Sequence, residues 1–303
     1  MHARRGTPDP ESHRPGRVKR PGVAAVAARL RERMGAITAA AAPAGGGAAT
    51  LGAGAKPPET AGHTALHDLR VACRRLETAL RLWARGSDAR EARTRARAMR
   101  RAAGPAREHE VLRALLRARR FGAASVPPAV RKSWLERLSR ADAAARRGAF
   151  PSARAVERLA SRVERAVRAL DRGARLGTRA SERLARWRRL GRSRLAAALA
   201  SGEAGALHRA RLALKRWRYA AEERGAFAGE RVSAAGEVPP APAAEPGAGL
   251  RRWQRALGQL NDRALLIAYA RSSGPQGRRL APRLEALRRA AVEGLRRRRD
   301  APS

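Results

Sequence analysis

The residues of this chain best suited to chemistry are a histidine followed by spaced guanidinium groups, and the arrangement occurs twice. Residues 67–80 read HDLRVACRRLETAL and residues 208–221 read HRARLALKRWRYAA. In this alignment His67 matches His208, Arg70 matches Arg211, Arg74-Arg75 match Lys215-Arg216, and Leu76 matches Trp217. Arginine suits phosphate because its planar fork donates paired hydrogen bonds to two oxygens. A neutral histidine adds one more donor, and a nearby phosphate would raise its pKa and so add charge. The chemistry on offer is recognition of a polyanion.

Positioning those side chains requires helices. With about 100° of turn per residue, Arg70, Arg74 and Arg81 fall within roughly 60° of His67 on one side. Leu69, Cys73, Leu76, Leu80 and Trp83 gather on the other side, as a core stripe. The second segment repeats the division. His208, Arg211, Lys215, Arg218 and Tyr219 share one face, and Leu207, Leu214, Trp217 and Ala221 share the opposite one. Glu77 and Glu222 sit at the edges of the basic stripes. A solvated helix face ordinarily mixes acids and bases at i,i+4, where opposite charges support each other; Arg70 and Arg74 repel instead. A second matched pair follows, AGPAREHEVL at 103–112 and LGQLNDRALL at 257–266, with Gly104 opposite Gly258 and Glu108 opposite Asp262. Its spacing exceeds that of the first pair by thirteen residues, which a Gly/Pro/Ala loop at 225–249 accommodates. Two copies of one helical unit in the same order imply a pseudo-symmetric molecule.

Composition agrees with a polyanion partner. The 303 residues include 67 Lys+Arg against 26 Asp+Glu, a formal net charge of +41. Such self-repulsion disfavours compactness unless an anionic ligand offsets it. Ala, Arg and Gly dominate throughout, so part of the excess is compositional, and the placement of the arginines carries more information than their number. Apolar residues make up 44% and aromatics only 3%, which suits a helical core and supplies no stacking platforms for single-stranded nucleic acid. The single cysteine, Cys73, excludes an intrachain disulfide framework and a cysteine-based zinc site, and fits a cytoplasmic protein. The first residues carry acids and prolines where a signal peptide needs an apolar core, and no stretch reads as a membrane span.

The expected organisation is a disordered tail over 1–20 and one all-α domain over 21–300, an antiparallel helical bundle with halves of about 21–150 and 151–300. Val23, Val26, Leu30, Met34 and Ile37 mark an amphipathic helix over 21–40, and Pro21 suits its first turn. Residues 41–62 read as linker. Helical period then continues from Leu66 to Leu199, with breaks at Gly86-Ser87-Asp88, Gly122–Pro128, Gly148–Ser152 and near Gly173. Further helices are expected from Leu207 to about Arg224, from Leu250 to Arg271 and from about Leu280 to Arg299.

At the two histidine helices the chain resembles the CHAD family, the conserved histidine α-helical domain. The signature helices of that family have the form His-x-x-Arg-x-x-x-Arg-Arg-Leu and His-x-x-Arg-x-x-x-Lys-Arg-x-Arg-Tyr. Here they stand as His67 to Leu76 and His208 to Tyr219. The family's following elements appear as Ala103-Gly104-Pro105-Ala106-Arg107-Glu108 and Leu257-Gly258-Gln259-Leu260-Asn261-Asp262. The resemblance covers roughly residues 22–299 and implies two helical bundles around a basic central cavity that binds inorganic polyphosphate, with association with polyphosphate granules. It implies that His67, Arg70, Arg74, Arg75, His208, Arg211, Lys215, Arg216 and Arg218 line that cavity. Arg81 joins them from the helical wheel, and Arg107, Asp262 and Tyr219 are expected to support them. Glu108 departs from the family's usual aspartate, and the two loops are longer than the pattern.

Plainer readings exist for several of these residues. A lone histidine is more often a buried structural residue, but two in matched basic stripes point to ligand contact. Trp83, Trp217 and Trp253 fit core or groove wall. Asp262 and Glu108 read as groups that cap or orient bases. Arg93, Arg95 and Arg97, like Arg296 to Arg299, read as solvated faces that raise the general field. No GxxxxGK[ST] loop occurs. A metal-dependent phosphohydrolase is the competing enzymatic reading; it would need carboxylate clusters, and neither HExxH nor a DxD-type cluster is found. Nucleic-acid binding competes as well, but the basic stripes lack the Asn, Gln, Ser and Thr that read base edges, so only non-specific binding in vitro is expected. No cofactor is implied.

Overall fold

A computed structural model describes residues 22–42, 59–119, 123–170, 176–229 and 246–300. The expected tail at 1–20 and most of the two expected loops lie outside the described residues. Among those described there are ten α-helices and no strand. They are α1 (Val23–Ala41), α2 (Glu59–Trp83), α3 (Gly86–Ala102), α4 (Gly104–Arg117), α5 (Pro128–Arg147), α6 (Ala153–Arg168), α7 (Leu176–Ser201), α8 (Ala204–Gly229), α9 (Pro246–Ser272) and α10 (Gly274–Asp300), with a 3-10 turn at Ala123–Ser125.

The all-α expectation therefore holds, and most boundaries fall where breakers were read. The differences lie at helix ends. α2 begins at Glu59, inside the expected linker, and α8 begins at Ala204 and reaches Gly229. α10 starts at Gly274 and carries Pro282 within it. Proline removes one helical hydrogen bond, but Ala281 and Leu284 beside it are buried against Leu266, Ile267 and Ala270 of α9, so packing overrides the breaker. Gly202 (φ +67°) and Gly274 (φ +85°) take the left-handed conformation at the tight turns before α8 and α10, where a side chain would be strained.

Apolar stripes gather the helices into three clusters. The first unites α1, α2, α3 and α6 through Val26, Leu30, Ile37, Leu69, Leu76, Leu80, Ala92, Leu159 and Val163. The second joins α4 and α5 to α9 and α10 through Leu116, Trp134, Leu138, Leu266 and Leu284. The third holds α7, α8, α9 and α10 with Ala198, Leu207, Leu214, Leu257 and Val292. α6, beyond the expected midpoint of the chain, packs on α1 and α3, while α4 and α5 share a core with α9 and α10.

Part of the arginine content is structural. Arg183 donates to the carbonyls of Arg81 and Leu82 at the end of α2. Arg288 donates to Gly202 O at 2.9 Å, and Arg296 to Leu199 O at 2.5 Å and Ala200 O at 2.7 Å, at the end of α7. Cations there satisfy free carbonyls and complement the helix dipole. Arg296 is thus a cap rather than part of a solvated face. Glu223 on α8, fully buried, accepts from Arg33 at 2.6 Å and Arg29 at 3.2 Å, and ties α1 to α8.

Candidate polyanion site

The first basic stripe is displayed by α2, which has no breaker between Ala65 and Trp83 and buries its apolar stripe completely: Leu69, Cys73, Leu76 and Leu80 are each 0% exposed. α8 displays the second stripe and is anchored by Leu207, Ala210 and Leu214. The two helices touch, so the stripes meet. Lys215 of α8 feels Arg70 and Arg74 of α2 as well as Arg211 and Arg218 of its own helix. Burial first and these four cations second push the Lys215 amine down to about 6. Burial and the neighbouring guanidiniums, Arg100 foremost, likewise pull Arg74 down to about 10.

The surroundings of each stripe correspond. Arg70 lies over Gly104, where a Cβ would stand 3.5 Å from its Nη1, and Arg211 lies over Gly258, where a Cβ would stand 3.8 Å from its Nε. The glycines at the matched positions thus leave room for the matched arginines. Arg70 also donates to Arg100 O at 2.7 Å, at the end of α3. Burial lowers the pKa of both arginines; Asp262 works against this at Arg211, whose Nε is buried without a hydrogen-bond partner. Asp262 is half-buried. Dehydration raises its carboxyl, while Arg211, a hydrogen bond from Asn261, Arg107 and Lys215 oppose the rise.

Neither histidine is a buried structural residue; both are exposed. His67 keeps an open edge, yet enough protein crowds the ring that dehydration, followed by Arg107, lowers its pKa. In the free protein it is a neutral donor awaiting an anion. His208 Nδ1 lies 2.7 Å from Asn261 Oδ1, so Asn261, a residue not singled out from the sequence, orients the ring.

Beyond Arg74 the cleft continues between α2, α3 and α8, with room for about 240 Å3 and walls that include Arg74, Glu77, Arg81, Arg97, Arg100 and Arg216. Glu77 is buried and accepts from Arg100 at 3.0 Å, with Arg97 at 3.6 Å. The reading of Arg93, Arg95 and Arg97 as one solvated face is corrected here. Arg97 lines the cleft, burial and Arg81 lower the pKa of Arg93, and Arg95 closes an ion pair with Glu91. Arg100 also went unnoticed in the sequence, because it belongs to α3 and reaches the cleft only through the α2–α3 contact.

Tyr219 lies on the basic side of α8, where it acts on Arg74 and Arg211, but it is buried rather than displayed. It is 2% exposed, under Arg218 at 4.9 Å and Arg75 at 5.8 Å from its ring centre. Both arginines also approach Glu222, at 3.1 and 3.6 Å. Arg75 and Arg218 are therefore held on an aromatic platform at the rim. Arg107 pairs with buried Glu110 at 2.9 Å, and Glu110 also accepts from Arg146 at 3.0 Å. By contrast, Arg74, Arg81, Lys215 and Arg216 are partly buried basic side chains whose heads make no hydrogen bond or ion pair among the described residues. Cys73, beneath the stripe, has its thiol pushed up to about 12 by burial and by Glu77, and is inert.

Among the described residues, no group of three or more His, Cys, Asp or Glu stands close enough to hold a metal ion, and no helix is long and apolar enough to cross a membrane.

Comparison with solved structures finds the crystal structure of the CHAD domain from the plant Ricinus communis, with a TM-score of 0.55 and 20% identity over 93% of this chain and 91% of that one. A comparison with curated proteins returns no match. The model of the CHAD domain family matches residues 55–271, which include both histidine helices and both glycine-bearing segments, and so the chain belongs to the CHAD domain family.

Proposed function

We propose that the protein binds inorganic polyphosphate without catalysing its breakdown, at the junction of α2 and α8, and that it associates with polyphosphate granules. The observation that carries the reading is the convergence of Arg70, Arg74, Arg211 and Lys215 from two touching helices, where Arg74 and Lys215 are partly buried basic groups with no bonded anion. Like charges brought together at the expense of hydration are stabilised when a polyanion supplies the missing partners. A polymer with a charge on every unit meets Arg70, Arg74, Arg81, Arg211, Lys215 and Arg216 at once. His67 and His208 stand at the first turns of the two stripes and are exposed. Release of condensed counterions would provide much of the affinity, as it does for nucleic acids.

Two features support this reading over its rivals. Glu77 and Asp262, two carboxylates beside the cluster, are separately engaged by arginines and Asn261, and neither belongs to a group among the described residues that could hold a metal ion. The one hydroxyl among the cleft's described lining residues, on Thr78, donates to Arg74 O at 2.9 Å and is not free to read a base, which favours a plain phosphate polymer over specific nucleic acid.

The test measures binding of long-chain polyphosphate at about physiological ionic strength, its displacement by duplex DNA, and phosphate release with Mg2+ or Mn2+. Changing Arg70, Arg74, Arg211 and Lys215 together to Glu should weaken binding by more than about 100-fold while circular dichroism stays helical. Equal competition by DNA, unaltered binding by a folded quadruple variant, or metal-dependent phosphate release overturns the reading.

A further inference from the structure

A second recognition surface lies outside the basic cleft, on the α7–α8 hairpin. A groove with room for about 650 Å3 runs along Ser181, Leu184, Ala185, Arg188, Arg189 and Arg192 of α7 and Trp217, Ala221 and Arg224 of α8. Its floor is apolar. Leu184 extends the α1–α2–α3–α6 core to the surface, and Trp217 does the same for the core of the second half, so the groove follows the seam between two hydrophobic clusters. Buried Gly191 lets the two walls pack closely beside it: a Cβ there would approach Leu214 to 3.2 Å and Trp217 to 3.4 Å. The rim is cationic. Arg188, Arg189 and Arg192 are exposed, and these three and Arg224 have no ion pair or hydrogen bond with any described residue.

This combination selects a ligand different from polyphosphate, which has no apolar part to lay on Leu184, Ala185, Trp217 and Ala221. The floor also offers no open backbone edge for an extended peptide to pair with. Its walls are helices with internally paired backbones, and the Ser181 hydroxyl donates to Gly177 O at 2.7 Å. An occupant must satisfy its own backbone, as a helix does and an extended peptide does not. From Ser181 to Arg192 the α7 wall measures about 16 Å, three helical turns. Three turns accommodate apolar anchors at i, i+3 or i+4, and i+7, and unpaired arginines on both walls demand acidic flanks. A second copy of this chain, at a formal net charge of +41, is the wrong electrostatic partner.

We infer that the α7–α8 groove docks an acidic amphipathic helix of another protein, laying its apolar face on Trp217, Leu184 and Ala185 between the arginines of the rim. This surface works independently of the polyphosphate cleft.

The probe is a fluorescein-labelled, 18-residue helical peptide with leucines at i, i+3 and i+7 and glutamates flanking them, compared by anisotropy with a composition-matched scramble. The patterned peptide should bind at least about tenfold more tightly than the scramble. Ala185→Arg adds a cation but fills the floor, so it should weaken binding about tenfold, whereas purely electrostatic attraction would be kept or strengthened. Arg188→Glu with Arg192→Glu should weaken it similarly. The variant with Arg70, Arg74, Arg211 and Lys215 changed to Glu should bind the peptide as the parent does, which separates this surface from the polyphosphate reading. Equal binding of the scramble, binding unchanged or tightened by Ala185→Arg, loss of binding in the quadruple variant, or a protein dimer that Ala185→Arg dissolves overturns the inference.

Discussion

Lys215 shows what a single residue contributes here. It faces Arg211 and Arg218 on α8, Arg70, Arg74 and His67 on α2, and Asp262 on α9, and its amine is pushed down to about 6. An entering polyanion restores the charged form, so binding above pH 6 takes up a proton. With a bound-state pKa higher than the free one, the extra affinity is full at and below pH 6. It falls by up to tenfold per unit as pH rises toward the bound-state pKa. Calorimetry in two buffers of different ionisation enthalpy should therefore disagree at pH 7.5, and the disagreement should shrink for Lys215→Met. Stability has its own sign. The unfolded chain holds the Lys215 proton up to the ordinary lysine range and the folded chain releases it near 6, so the parent gains stability as pH rises between those values. Lys215→Met should stabilise the free protein by roughly 1–4 kcal/mol near pH 6, with the gap closing toward pH 10. Sequence spacing was enough to place Lys215 on its stripe. Its neutrality was not legible, because the burial and two of its four strongest cationic neighbours depend on α2 crossing α8. The burial of Tyr219 was hidden for the same reason: the wheel knows its own helix and not the arginine that α2 lays over the ring.

At the scale of elements, a helix face is as informative as the helix that covers it. The core stripe of α2 was legible in full, because Leu69, Cys73, Leu76 and Leu80 need only face inward. The contributions of α3 were not: Arg93, Arg97 and Arg100 look like surface residues until α3 lies along α2. Helix ends were misjudged where packing outweighs local preference, as at Pro282. The ion pairs between elements were equally hidden, and one of them fixes the entry of the chain into the fold. Glu223 takes two guanidiniums of α1 in full burial. Glu223→Gln should cost roughly 3 kcal/mol, because two arginines lose their shared anion, whereas Glu32→Gln, on an exposed pair, should cost less than about 1 kcal/mol. Urea unfolding of both variants checks the contrast.

At the scale of the molecule, the formal net charge of +41 is divided among unequal tasks. Arg183, Arg288 and Arg296 close helix ends, Arg29, Arg33 and Arg146 neutralise buried acids, and a minority face the cleft without partners. An anion that binds the folded state alone adds stability by mass action, so polyphosphate at 100 times its dissociation constant should contribute about 2.7 kcal/mol. The melting temperature should rise with it, and the rise should vanish for the quadruple glutamate variant. The unbroken course of α2 adds a consequence for the polymer itself. From His67 to Arg81 the stripe extends about 21 Å along a rigid axis, with His67 at one end, Arg81 at the other, and Arg70 and Arg74 between. On the proposed reading that axis is a ruler. Oligomers shorter than it leave one terminal contact empty, each added unit up to its length strengthens the grip, and longer chains gain only by offering more places to start.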